Sequence, residues 1–179
     1  PPTKKSQHSY SGTDYGTAVH HAFSWIAHHS DEDPSRYVFQ ISKGNAELTS
    51  AVLDAVSTFK SHDLFSYIKS PDSVIERGFS LPAGNIIIEG RFDAAILKDG
   101  SYYIVDYKTD AIAKEEQVEH SKRYKTQLGI YLLSLSALYN LDYDDYNAII
   151  YYTYTGDTVT TTHSKVDLLA LQDQLLQFH

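Results

Sequence analysis

With 179 residues, 42% of them hydrophobic, the chain has the size of one domain and enough apolar material for a sizeable core. It contains no cysteine, which excludes disulfides, thiolate zinc sites and iron–sulfur clusters. Its net charge of −8 argues against a module that grips duplex DNA unaided, yet it suits the clustered carboxylates that a hard metal ion requires.

The chain opens on PPTKKSQHSYSG, which is polar and lacks the apolar region of a secretory signal. Residues 1–11 read as a flexible lead-in, and the missing initial Met suggests a piece excised from a longer protein. No apolar run reaches the roughly 18 residues of a membrane span. The expected setting is intracellular and cytoplasmic, with no membrane partner.

Gly16 to His29 reads as the first helix, because Val19, Phe23 and Ile26 recur at helical spacing and Thr13 or Asp14 offers a cap. Residues 31–44 read as a loop carrying DEDPS and KGN. A second helix is predicted over Ala46–Phe59, and a short turn of helix over Leu64–Lys69 ends before Pro71. Strands follow over Val74–Ser80, Ile86–Leu97 and Tyr102–Tyr107, with Asp99-Gly100 as a two-residue hairpin turn. One long helix is predicted over Glu115–Tyr139. Strands over Tyr146–Tyr154 and Thr158–Thr162 then flank Gly156-Asp157, and a helix over Val166–Phe178 closes the chain. This order predicts an α/β or α+β sandwich around one mixed sheet.

The Asp99-Gly100 turn sets a register. Lys98 pairs with Ser101, so Asp93 falls opposite Asp106, and Arg91 opposite Lys108. Side chains alternate along a strand, which collects these four on one face, while Phe92, Ala94, Ile96, Tyr103 and Val105 form the core face. Opposed carboxylates with Cβ atoms about 4.5–5.5 Å apart repel unless a cation sits between them. A divalent metal beside Lys108 is one reading, and it fits the needs of phosphodiester hydrolysis. A surface ion-pair ladder on a half-exposed hairpin fits the same register.

The residues around this hairpin form a wider pattern. Gly90-Arg91-Phe92-Asp93-Ala94 followed by Ile104-Val105-Asp106-Tyr107-Lys108-Thr109 resembles the G-x-x-D and (I/V)-(V/L)-D-Y-K-T signature of RecB-like nucleases in the PD-(D/E)xK superfamily. Gly16-Thr17-Ala18-Val19-His20 resembles the upstream G-T-x-x-H motif, and Glu76-Arg77-Gly78-Phe79 resembles E-x-x-F. Gln127-Leu128-Gly129-Ile130-Tyr131 resembles Q-L-x-x-Y. The five motifs stand in family order across about residues 12–155. The resemblance implies a restriction-endonuclease-like fold, in which a mixed central sheet is flanked by helices, the first three strands form a meander, and a helix leads to the fourth.

The resemblance also implies roles. Asp93 and Asp106 would ligate Mg²⁺ or Mn²⁺, with His20 approaching from the first helix and the Tyr107 carbonyl joining them. Lys108 would be the catalytic lysine. Gln127 and Tyr131 would position Lys108 or contact DNA, Glu76 would be a supporting or outer-shell acid, and Arg91 would support from the hairpin. Without cysteine, the chain resembles the cluster-free RecB and AddA type. It carries no Walker A motif, so a helicase motor would lie elsewhere in a longer chain or in a partner. The expected function is a DNA exonuclease module of a double-strand-break repair helicase–nuclease, acting on single-stranded or unwound ends. A catalytically weak DNA-binding or scaffolding module is the alternative, though here every expected catalytic position is filled. A restriction-type endonuclease would need a target-recognition element, for which the chain has no room.

Overall fold

The computed structural model describes residues 9–177, so most of the 1–11 lead-in and the predicted helix end at Phe178 lie outside the described residues. Helix α1 spans Gly12–His28, α2 Ser35–Ile41, α3 Ala46–Lys60 and α4 Leu64–Ile68. Strands β1 (Val74–Ala83), β2 (Ile86–Lys98) and β3 (Ser101–Lys108) follow. After the short helix α5 (Gln117–Ser121) come α6 (Lys125–Tyr139), β4 (Asp145–Tyr152), β5 (Asp157–Ser164) and α7 (Lys165–Leu176).

The five strands form one sheet in chain order, with every neighbour antiparallel except β3 and β4, which run parallel. The α6 crossover makes that parallel pairing possible. Helices cover both faces, as the α/β expectation required. On one side Phe23 and Phe59, stacked 4.2 Å apart, pack with Ala94, Ile96, Val105 and Tyr151. On the other, Leu128, Leu132 and Leu168 pack on Phe92, Ile104 and Ile150. Among the described residues no helix is long and apolar enough to cross a membrane.

Several local expectations need correction. Helix α1 begins four residues early because Ser11, rather than Thr13 or Asp14, is its N-cap: Ser11 Oγ accepts from the Asp14 N–H at 3.1 Å, and Asp14 accepts from the Ser11 N–H at 3.1 Å. Part of the predicted loop is helix α2, which starts after Pro34, with Asp33 accepting from the Ser35 N–H at 3.0 Å. The single helix expected over 115–139 is interrupted. Ser121 Oγ donates to the Val118 carbonyl at 2.7 Å, Gln117 is buried against Thr155, and a tight turn over Lys122–Tyr124 separates α5 from α6. The last hairpin closes at Tyr152↔Asp157 rather than across Gly156-Asp157.

Candidate metal and phosphodiester site

Asp99 and Gly100 both have positive φ, 52° and 79°, as a tight hairpin turn requires, and Lys98 pairs with Ser101 as predicted. The ladder holds to Ala94↔Val105 and stops there. On the other side, β1 pairs Ile75 with Ala94 and Arg77 with Phe92 but skips Glu76, whose φ is 52°. Asp93 therefore pairs with neither neighbour, and the expected opposition to Asp106 is replaced by a side-chain bond: the Tyr107 N–H donates to Asp93 Oδ2 at 2.7 Å. The carboxylate satisfies the donor that a regular ladder would have used.

The interruption also changes the phase of β2. Ala94 and Ile96 face the α1–α3 core as expected, but Phe92 lies with Ala95 and Ile104 on the α6–α7 side. A local break in strand pairing of this kind re-aims side chains. Arg91 consequently does not stand across from Lys108. Its Nη1 donates to Glu76 Oε2 at 2.9 Å, in an exposed pair.

Asp93, freed from the ladder, meets α1. His20 Nδ1 lies 2.9 Å from Asp93 Oδ1. His20, Glu76 and Asp93 each offer a ligand atom, and these atoms lie within 4.8 Å of one another. The helix comes this close because Gly16, one turn before His20, has no side chain; a Cβ there would sit 3.0 Å from Thr109 Oγ1. An open cleft of about 700 Å³ exposes Gly16, His20, Glu76, Arg91, Asp93 and Asp110.

Asp106 stands outside that trio. It is 3% exposed, and its Oδ2 lies 2.8 Å from Lys108 Nζ, off the hydrogen-bonding direction, so the oxygen has no hydrogen-bond partner among the described residues. Burial pushes its carboxyl up to about 6, with Lys108 opposing that shift and Asp93 adding to it. Burial alone would lower the His20 imidazole, but the bond to Asp93 and the charges of Asp93, Asp106 and Glu76 outweigh it and raise the pKa. Burial is the main cause of the Asp106 shift and neighbouring carboxylates of the His20 shift, and a cation bound here would offset the negative charge that both groups feel. Convergent carboxylates, an imidazole and a buried carboxylate oxygen without a hydrogen bond form a donor set that fits a hard divalent ion.

Lys108 is held from three directions. Its Nζ contacts Asp106, donates to Gln127 Oε1 at 3.4 Å and lies 4.1 Å from the centroid of the Tyr124 ring. Gln127 Nε2 donates to the Tyr131 hydroxyl at 2.7 Å, one helical turn along α6. Tyr131 meets the Phe79 ring edge-on at 5.7 Å, and that ring occupies the space beside Gly90, where a Cβ would lie 2.7 Å from it. Tyr124 donates to Asp110 at 3.2 Å, and its phenol is pushed up to about 12, first by burial and then by Asp110.

The structure thus brings together His20, Glu76 and Asp93 at the cleft, with Asp106, Lys108, Gln127 and Tyr131 alongside. Tyr107 contributes its N–H to Asp93, and Arg91 reaches Glu76 at the rim. Sequence reasoning left Tyr124 and Asp110 without roles. Tyr124 shares a helical face with Gln127 and Tyr131 at i, i+3 and i+7, and that spacing was the available signal.

The chain belongs to the PD-(D/E)XK nuclease superfamily, whose profile matches residues 2–177. Among curated proteins it is 28% identical over 151 residues to an ATP-dependent helicase/nuclease subunit of Oenococcus oeni, covering 74% of this chain and 13% of that protein. It is 31% identical over 113 residues to the corresponding ATP-dependent helicase/nuclease subunit of Staphylococcus aureus, covering 52% of this chain and 9% of that protein. The chain therefore spans only a small part of the relatives it matches. Among solved structures, the crystal structure of SSO0001 aligns with 90% of this chain and 73% of that one, at 18% identity and a TM-score of 0.37.

Proposed function

We propose that this chain is a single metal-dependent nuclease domain that hydrolyses phosphodiester bonds in DNA. The observation that carries this reading is the meeting of His20, Glu76 and Asp93 beside the Asp106–Lys108 pair, in a chain of a nuclease superfamily. His20, Asp93 and Asp106 would hold Mg²⁺ or Mn²⁺, with Glu76 as a fourth donor and the Tyr107 carbonyl as a further one. When bound, the divalent cation supplies Lewis acidity toward the phosphate and the attacking water.

The remaining chemistry belongs to the chain. Lys108 presents an ammonium whose position is narrowed by Asp106, Gln127 and Tyr124. It orients the attacking water and balances negative charge as it develops on the phosphate. Gln127 and Tyr131 act through Lys108 as positioning residues. Arg91, 65% exposed in its ion pair with Glu76, stands at the rim where a phosphate backbone would approach.

The relatives' names couple a helicase with a nuclease. We extend this to the chain as an exonuclease module of a cytoplasmic double-strand-break repair helicase–nuclease, with the motor in the same parent chain or complex. The motor would deliver single-stranded or unwound DNA ends, supplying affinity that a domain with net charge −8 lacks. Cleavage of end-labelled single-stranded and duplex oligonucleotides with Mg²⁺ or Mn²⁺ tests the reading. Metal-dependent shortening from an end is expected, and it should disappear in Lys108→Ala. DNA binding without cleavage at any metal concentration would favour the scaffolding role instead.

A further inference from the structure

We infer that Tyr124 is a positioning residue for Lys108, its ring fixing the ammonium and its hydroxyl locking the ring to the loop that follows β3. The inference rests on the proposed role of Lys108 as the catalytic cation. A lysine carries its charge on a flexible four-carbon stem, so one carboxylate contact leaves it many orientations. In this site the ammonium is boxed in: Asp106 lies 2.8 Å away, Gln127 Oε1 3.4 Å away, and the Tyr124 ring centroid 4.1 Å away. The ring face attracts the cation without neutralising it and without competing for its protons. Asp106 and Gln127 fix where the ammonium can go, and the ring holds it there.

Tyr124 is itself held. Its hydroxyl donates to Asp110 Oδ2 at 3.2 Å, and the His120 ring meets it edge-on at 5.4 Å. His120 Nδ1 lies 3.2 Å from the Tyr152 hydroxyl. The break between α5 and α6 thereby acquires a purpose. Lys122–Tyr124 forms a tight turn immediately before α6, and this turn carries the ring to Lys108 while Gln127 and Tyr131 approach from α6. A continuous helix, as the sequence pattern suggests, would not have this turn. Asp110, two residues beyond Lys108, ties the same loop back to the ring.

The direct test is the proton spectrum of metal-free protein carrying ¹³C-labelled lysine, with the Lys108 ε-methylene signal assigned by its loss in Lys108→Met. A cation over a ring face places those protons in the ring's shielding cone, so the signal is expected upfield of the other lysines. Tyr124→Phe keeps the upfield shift and Tyr124→Leu abolishes it. In cleavage assays, Tyr124→Leu lowers kcat about tenfold with little change in KM, and Tyr124→Phe restores most of the loss. An unshifted Lys108 signal in the unmodified protein overturns the inference even if both variants misfold, and so does wild-type kcat in Tyr124→Leu. A shifted signal in a protein that never cleaves DNA keeps the Lys108–Tyr124 contact and rejects the nuclease reading, so the two failures are distinguishable.

Discussion

At its turn, the β2–β3 hairpin is regular: Asp99 and Gly100 take the left-handed conformations of a tight turn, and five successive pairs run from Lys98↔Ser101 to Ala94↔Val105. At its other end the same two strands lose their pairing, Glu76 on β1 turns to positive φ, and Asp93 bonds the Tyr107 N–H with its side chain. The turn end satisfies backbone groups with backbone groups. The site end gives up a ladder position so that a carboxylate can face His20 and Glu76. Strained or irregular backbone at a site is tolerated where the surrounding packing fixes it, and here both faces of the sheet are buried under helices.

The sharpest contrast should come from Lys108→Ala, which lowers metal-dependent cleavage by at least about 100-fold while leaving manganese affinity within a few-fold. Next, Glu76→Gln tests the residue that the irregular backbone adds to the site. Manganese affinity measured by calorimetry should fall by about tenfold or more, as for other groups that shape a metal site. Equal affinity in this variant would mean that only His20 and the aspartates hold the ion.

A smaller effect concerns pH. Asp106 ionises near 3.8 when unfolded and near 6 in the fold. The folded chain therefore binds the extra proton between these values, and the resulting stabilisation is complete below about 3.8 and lost as pH rises through about 6. The metal-free protein should accordingly lose melting temperature across that window, and Asp106→Asn should flatten this part of the profile. The variant should also melt higher than the unmodified metal-free protein at pH 8, by a free energy on the order of 1 kcal/mol. Manganese affinity should rise with pH through about 6 and go on rising above the ordinary imidazole value, because the ion displaces protons from both Asp106 and His20. The least effect on function belongs to the turn. Gly100→Ala places a side chain at φ 79° and should cost about 1 kcal/mol of stability, read as a lower melting temperature, with unchanged cleavage per folded molecule.

Much of this architecture was legible in the sequence. The five strands, the Asp99-Gly100 turn and its first pairs followed from alternation and turn chemistry, and the D-Y-K-T and G-x-x-D segments carry Asp93, Asp106 and Lys108, which the structure brings close together. The phase break at Asp93 was not legible. Phe92 is apolar, and with both sheet faces buried an apolar residue fits either one, so alternation carries no record of a slip. Glu76 was read as a supporting or outer-shell acid, and a strand pattern gives no sign that this residue turns to positive φ with its carboxylate beside His20 and Asp93. Helix α2 buries only Val38, too little to produce a periodic stripe. The tight turn over Lys122–Tyr124 was hidden because Tyr124, within it, keeps helical spacing with Gln127 and Tyr131 of α6.

The proposed divalent-cation site depends on the broken ladder at Asp93. Calorimetric titration of Mn²⁺ into the protein, beside Asp93→Ala and Asp106→Ala variants of confirmed fold, tests it most directly. The expected result is binding by the unmodified chain that both substitutions abolish. Absence of binding by the unmodified chain, even with a DNA oligonucleotide present, or equal binding by both variants, would contradict it and leave His20, Asp93, Asp106 and Lys108 as an ion-pair network with no metal role.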